Sequence, residues 1–303
     1  MSISLASIRN QLLPGLMEIT GEYDQIAPEW EGIFVTKVSN LNQERSLQVR
    51  YTGIAQQKTE GGQTPIDNQS GDRWAYTMEP IEAGIMYSIT RKAVDDGLYK
   101  SEFRPANLGL QQSMRAFWNT QAAYILNTAS TYVPAIGGDG KALLATDHPV
   151  DTGTFANTSS VPLALNEASL IGGAKGIRKN FVDEAGILQD IFAEDLIVPT
   201  NLEDVAIRLL KTDLRPGTGN NDVNVIPTMA GGIKNYKVLR YLTSDFPWFL
   251  TTTVKGLIHL ERIPFEMDMF VDFDTDNLKV KSYERGGFFY NDPRALWGQM
   301  ATS

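Results

Sequence analysis

Two alternating runs that enclose a long polar stretch constrain this chain more than any other feature. Ser46-Leu47-Gln48-Val49-Arg50-Tyr51 opens residues 46–99, and Ile85-Met86-Tyr87-Ser88-Ile89-Thr90 lies near their close. Side chains of an extended strand point alternately to opposite faces, so each run predicts a strand with one apolar face. Between them, Thr59-Glu60-Gly61-Gly62-Gln63-Thr64-Pro65 and Asp67-Asn68-Gln69-Ser70-Gly71-Asp72-Arg73 are rich in turn formers. The pattern predicts a long two-stranded arm over residues 34–99 with a polar tip. A lone two-stranded ribbon is marginal in water. Such an arm needs a surface beneath it, from its own domain or from a neighbouring subunit.

The rest of the chain mixes helices and strands without a βαβ rhythm, which predicts an α+β fold. Residues 1–33 hold too few apolar residues to bury themselves and are expected to drape over another surface. Leu5, Ile8, Leu12 and Leu16 share a helical face that Pro14-Gly15 interrupts, and a second short helical piece is expected from Leu16 to Ile26. Arg91 to Tyr99 reads as a short helix or turn. The strongest helix spans residues 106–130, with Pro105 at its start and Leu110, Met114, Phe117, Trp118, Gln121, Ala122 and Ile125 at helical spacing. Its length of about 37 Å suits a spine on which other elements pack. Asn166 is placed to cap a helix to about Asn180, in which Gly172, Gly173 and Gly176 imply close packing against another backbone. Leu196-Ile197-Val198 predicts a buried strand, and Thr200-x-x-Glu203 has the form of a capping box for the next helix. Tyr236–Tyr241, Trp248–Thr252, Leu257–Ile263 and Lys279–Tyr283 read as strands, the last broken at Arg285-Gly286-Gly287 before resuming at Phe288.

Composition removes several classes of function. With 27 Lys+Arg against 36 Asp+Glu the net charge is −9, which opposes any role built on gripping phosphates. An acidic protein can still enclose nucleic acid without binding it specifically. There is no cysteine, hence no disulfide, thiolate metal site or cysteine nucleophile. No run of about 18 apolar residues predicts a membrane span, and the N-terminus lacks the pattern of a secretory signal.

Candidate chemistry is sparse. Asp147-His148, with Ser159 or Ser160 as nucleophile, is the one hydrolase arrangement available, but no Gly-x-Ser-x-Gly elbow accompanies it. Asp147-His148-Pro149 reads more simply as a turn. Glu266, Asp268, Asp272, Asp274 and Asp276 form an acidic ladder. It fails the calcium-loop pattern, with Asn277 where Gly is needed and Tyr283 where Glu is needed. Alternation with Met267, Met269 and Phe273 makes it a half-exposed strand. Gly217-x-Gly219-x-x-Asp222 and the 172–176 glycines match neither nucleotide-binding pattern. No catalytic, metal or cofactor residues are therefore assigned. On the arm, Arg50, Lys58, Glu60 and Arg73 carry two compatible readings: charges that keep an exposed edge from aggregating, and ion pairs with a neighbouring subunit.

The order of parts carries a resemblance. Tyr51-Thr-Gly-Ile and Thr59-Glu-Gly-Gly stand in the arm, and Ile89-Thr-Arg-Lys-Ala-Val-Asp-Asp-Gly-Leu-Tyr99 leads to the spine. Leu144-Ala-Thr-Asp-His-Pro149, Leu196-Ile-Val-Pro199 and Pro216-Gly-Thr-Gly-Asn-Asn-Asp-Val-Asn224 follow. Over roughly residues 20–300 this ordered set resembles a tailed-phage major capsid protein of the Hong Kong 97 phage fold, in the branch of Mu-like major head subunits. The resemblance implies an N-terminal arm (1–33), an extended β-arm or E-loop (34–99) and a peripheral domain with the spine helix (100–155). An axial domain (156–264) and closing peripheral strands (265–303) would follow. It implies a structural, non-enzymatic subunit that self-assembles in a bacterial host cytoplasm into hexamers and pentamers of an icosahedral virion head around double-stranded DNA. Implied partners are further copies of itself, a separate scaffolding protein, a portal and a decoration protein, with no membrane and no cofactor. Arg50, Lys58, Glu60, Gly61, Gly62, Arg73 and Trp74 would form inter-subunit contacts. Some members crosslink a Lys to an Asn through a nearby Glu; Lys58 lies in the corresponding loop, with no partner identifiable. The alternative is an encapsulin-like bacterial compartment shell that packages a cargo enzyme, and behind it a soluble hydrolase using His148.

Overall fold

The computed structural model describes residues 21–67, 69–96, 103–213, 222–229 and 231–301. The expected helical turns of residues 1–20 and the glycines at 217 and 219 lie outside them. Two four-stranded sheets and one long helix organise the molecule. The first sheet has the order β1-β10-β11-β4, from β1 (Val35–Val38), β10 (Leu257–Val271), β11 (Leu278–Tyr290) and β4 (Ile81–Ile89). The second has the order β12-β9-β7-β8, from β12 (Leu296–Gln299), β9 (Trp248–Thr252), β7 (Ala193–Val198) and β8 (Asn235–Val238). Short pairs join β2 (Glu44–Arg50) to β3 (Gly71–Met78) and β5 (His148–Val150) to β6 (Gly153–Phe155).

The spine is α2 (Phe103–Asn127), preceded by the short α1 (Arg91–Asp95). Pro105 falls in its first turn, where a missing N–H costs nothing. Leu110, Met114, Trp118, Ala122, Ile125 and Leu126 are buried at helical spacing. Polar side chains on the same helix are buried with partners. Asn107 accepts from the Tyr87 hydroxyl at 2.9 Å, Asn119 from the Glu29 amide at 3.1 Å, and Arg115 donates to the Tyr23 carbonyl at 3.1 Å. Tyr23, Trp30, Ile33 and Phe34 join the same core. The segment from residue 21 to 34 thus drapes over the chain's own body.

A second core lies under α3 (Glu167–Asn180) and α4 (Glu203–Leu210). The second sheet separates the two cores. Trp248 and Leu250 face one and Phe249 the other, and Trp297 and Leu296 divide in the same way. Asn166 caps α3 with a reciprocal box to Ser169. Two of the α3 glycines face a side chain rather than a backbone: a Cβ would lie 2.7 Å from the Trp297 ring on Gly173 and 3.6 Å from the Trp297 indole nitrogen on Gly176.

Several expectations are corrected. The run at 46–51 does not pair with the run at 85–90. β2 pairs antiparallel with β3, which begins inside the stretch read as polar tip, whereas β4 pairs with β11. β1, expected in the arm, lies parallel to β10. β10 and β11 form one long hairpin, and Gly286 continues β11 opposite Glu261 instead of breaking it. A Cβ at Gly286 would stand 2.7 Å from the Leu260 carbonyl, so the glycine serves close approach between strands. The expected closing strands divide, because β12 pairs with β9 of the second sheet. Thr200-x-x-Glu203 forms no capping box: residues 200–202 make a 3-10 turn and Leu202 stands before α4 without a side-chain cap.

Candidate functional site

The arm is the feature with surface to offer, and its root is held by buried charges. Arg50, at the end of β2, is 7% exposed. It ion-pairs with Asp151 in the β5–β6 turn and with Asp67 at 3.3 Å. From β3, Arg73 reaches the same Asp151 at 2.6 Å and lies 3.8 Å from Glu184. The Trp74 indole N–H donates to Glu184 at 3.1 Å. Glu184 also receives Arg294 at 2.7 Å, and Asp292 pairs with Arg294 at 3.2 Å. Burial works to lower the Arg294 pKa, yet Asp292 and Glu184 outweigh it and hold it raised. Both strands of the arm are therefore tied to the body of their own chain. Tyr76, 1% exposed, anchors β3 in the first core, and the Thr77 amide donates to the Ile136 carbonyl at 2.7 Å.

Beyond this root the described residues between 51 and 70 form no strand. Gly62 N–H closes a turn on the Thr59 carbonyl at 3.0 Å, and Gly61 takes φ +72°, a conformation that strains other residues. That explains the Glu-Gly-Gly sequence of the tip. Lys58 and Glu60 are exposed and have no ion-pair partner among the described residues. Tyr51, Ile54 and Ile66 are 73%, 72% and 72% exposed. The seven arm residues singled out from sequence thus divide. Arg50, Arg73 and Trp74 sit in an intrachain lock, and Lys58, Glu60, Gly61 and Gly62 form the tip. Asp151, Glu184, Arg294 and Asp67 were missed. Asp151 lies 101 residues from Arg50, Glu184 110 from Trp74, and Arg294 110 from Glu184, and only their places in tight turns marked them.

His148 is 1% exposed and stacked on Phe155 at 4.8 Å. Its Nδ1 bonds Asp139 at 2.6 Å and its Nε2 meets Asn157 at 3.3 Å. Both ring nitrogens are taken. Ser159 accepts from Gln299 at 2.9 Å and has no bond to the histidine. Asn157 also donates to the Leu143 and Pro293 carbonyls at 2.7 and 2.9 Å, so this cluster ties loops together. Asp147, expected to close its own turn, pairs instead with Lys141 at the surface. No group of three or more His, Asp or Glu side chains among the described residues is arranged to hold a metal ion. No helix among them is long and apolar enough to cross a membrane.

The family model described as phage capsid protein matches residues 76–298. The chain belongs to the phage capsid protein family. Solved structures carry the same fold at low identity. The virus-like particle from Pyrococcus furiosus aligns over 94% of this chain and 97% of its own, with 8% identity and a TM-score of 0.58. The capsid of a native GTA particle covers 88% of each chain with 12% identity and TM-score 0.55. Mycobacterium phage Patience covers 99% of this chain and 89% of its own, with 10% identity and TM-score 0.54. No curated protein matches the chain in sequence. The capsid protein therefore has the α+β architecture of the Hong Kong 97-type fold, and its family role is structural.

Proposed function

We propose that this capsid protein is the self-assembling subunit of an icosahedral head, arranged as hexamers and pentamers around double-stranded DNA. The observation that carries the reading is the 51–70 segment. It holds three large apolar side chains more than 70% exposed, at the end of an arm whose root is locked in place. Large apolar side chains displayed in this way on one segment fit a protein–protein contact. In this reading β2, β3 and the 51–70 tip are the extended loop, and Lys58, Glu60, Gly61 and Gly62 reach an adjacent subunit. The spine with the first sheet is the peripheral domain, and α3, α4 and the second sheet are the axial domain. A contact in which one patch meets a different patch on the next copy forms rings where the rotation between copies closes. The net charge of −9 suits a wall that contains DNA without gripping it. A separate scaffolding protein, a portal, a decoration protein and descent from the Mu-like branch belong to the same reading, with assembly in a bacterial cytoplasm.

Light scattering and negative-stain microscopy of purified protein test it. Hollow shells, or hexamers and pentamers that convert to them, are expected, alone or after co-expression with scaffold. A 33.6 kDa monomer unchanged by concentration and not rescued by scaffold would sink the proposal. Nuclease-protected DNA inside native particles supports the head; an enzyme cargo without DNA would instead identify a compartment shell.

A further inference from the structure

The β10–β11 hairpin ends in a turn that displays one aromatic ring to solvent. Phe273 is 97% exposed. The turn beneath it is well fixed. The Asp272 amide donates to the Asn277 carbonyl at 2.9 Å, and the Asp276 amide donates to the Asp272 carbonyl at 3.0 Å. The Asp272 carboxylate holds Thr275 at 2.5 Å and Lys279 at 3.1 Å, and Arg91 pairs with Asp276 at 2.6 Å. Asp274, beside Phe273, has no partner among the described residues. A rigid turn therefore presents a bare phenyl ring in an acidic setting.

The other end of the same hairpin offers the complement. Between the edge strand β1 and the root of the arm lies a cavity of about 310 Å³. Its floor is Met78, Ile258 and Leu260, and Val38, 74% exposed, forms a wall. Lys37 and Arg45 line it and have no ion pair among the described residues. Glu44, also at the rim, is engaged by the Ser39 hydroxyl. We propose that Phe273 of one copy seats in this cavity of a second copy, with Asp274 facing Lys37 and Arg45. The inference rests on the reading of the chain as a shell subunit. An apolar floor answers the ring, and two cations answer the aspartate. From Leu260 to the end of β10 at Val271 the strand runs about 36 Å at ~3.3 Å per residue, and Phe273 lies in the turn beyond it. The tip therefore cannot fold back into its own cavity, and the contact joins copies head to tail, which propagates a ring or a shell.

The absence of cysteine makes the test clean. An Asp274→Cys, Arg45→Cys double variant is assembled and treated with a short bis-maleimide, beside each single variant. A ladder of covalent oligomers from the double variant alone is the expected result. Dimers from Asp274→Cys alone would mean that tips meet one another, and would overturn the proposal. No ladder from intact particles would also overturn it and leave the shell reading standing. Absence of particles of any kind from the unmodified chain, with or without scaffold, overturns the shell reading and this contact with it. A second measurement guards against linker geometry. Phe273→Ala is expected to raise the protein concentration needed for assembly about tenfold or more, with thermal unfolding of the unassembled chain unchanged. Unchanged assembly would count against the contact.

Discussion

Glu284 carries a carboxyl into the first core at 7% exposure. Burial pushes its pKa up from 4.5 to about 7, more than the Tyr23 hydroxyl bond at 3.0 Å and the nearby Arg115 charge can offset. The folded protein thus holds a proton that the unfolded chain releases at lower pH. The carboxyl costs nothing below pH 4.5. A penalty grows as pH rises from 4.5 to about 7 and stays constant above, reaching about 3 kcal/mol. Glu284→Gln is therefore expected to be more stable than wild type at pH 8 by up to that amount and equal to it near pH 4.5. Urea unfolding at the two pH values reads the difference, and a variant less stable at pH 8 would refute the assignment. Glu184 is the opposite case, a buried carboxylate paired with a buried guanidinium. Arg294 is 5% exposed and Glu184 6%, so removing the acid leaves a buried cation with Asp292 as its remaining charge partner. Glu184→Ala is expected to cost about 1.5–3 kcal/mol by denaturant unfolding, the worth of a charged hydrogen bond lost from a cation that keeps Asp292. A cost under about 1 kcal/mol would show that the arm root does not depend on it.

Elements differ in how much of themselves the sequence displays. The spine is legible because burial on one side of a helix leaves an i, i+4 record, from Leu110 through Met114 to Trp118, and α3 is legible from its Asn166 cap. Alternation is weaker evidence, because it reports which face of a strand is covered and not which strand lies beside it. Ala83 and Tyr87 alternate with exposed residues because they face the core and the spine, and nothing in β4 names β11 as its partner. The true partner of β2 starts with Gly71-Asp72-Arg73, residues that read as loop because two are exposed and the third, half-buried Arg73, is held by an ion pair to Asp151. The candidate site was half visible for the same reason: Arg50 and Arg73 stand out as charges on a strand, whereas Asp151 and Glu184 sit in distant turns. Gly172 and Gly173 sharpen the point, being neighbours in a helix with different surroundings. A Cβ at Gly172 meets nothing within 4 Å, while one at Gly173 meets the Trp297 ring at 2.7 Å. Gly172→Ala is expected to stabilise by about 0.5–1 kcal/mol through helix propensity. Gly173→Ala is expected to destabilise by about 1–3 kcal/mol through overpacking. Thermal melts of the pair decide it, and equal shifts in one direction would contradict the packing of β12 beneath α3.

At the scale of the whole molecule, stability and display are separated in space. Two cores share the second sheet between them, and the ion pairs of Arg50, Arg73 and Arg294 bind the arm root to the body. The described residues between 51 and 70 take no part in either core. Their apolar side chains contribute little to folding one copy, and burying two isoleucines against a neighbour is worth about 1.5–3 kcal/mol each. Repeated once per subunit, that is enough to decide whether a shell closes. Replacing residues 54–66 by a Gly/Ser segment of equal length leaves Arg50, Gly53 and Asp67 in place, and so spares the Arg50–Asp67 pair and the Gly53 amide bond to Asp67. The unfolding free energy of the unassembled chain should then move by less than about 0.5 kcal/mol. Shell formation by light scattering should fall away at concentrations where the unmodified chain assembles. Particles of normal size and yield would show that the tip is not what holds subunits together. A collapse of the isolated chain's stability would show instead that the tip belongs to its own fold, and either result would remove the observation on which the assembly reading stands.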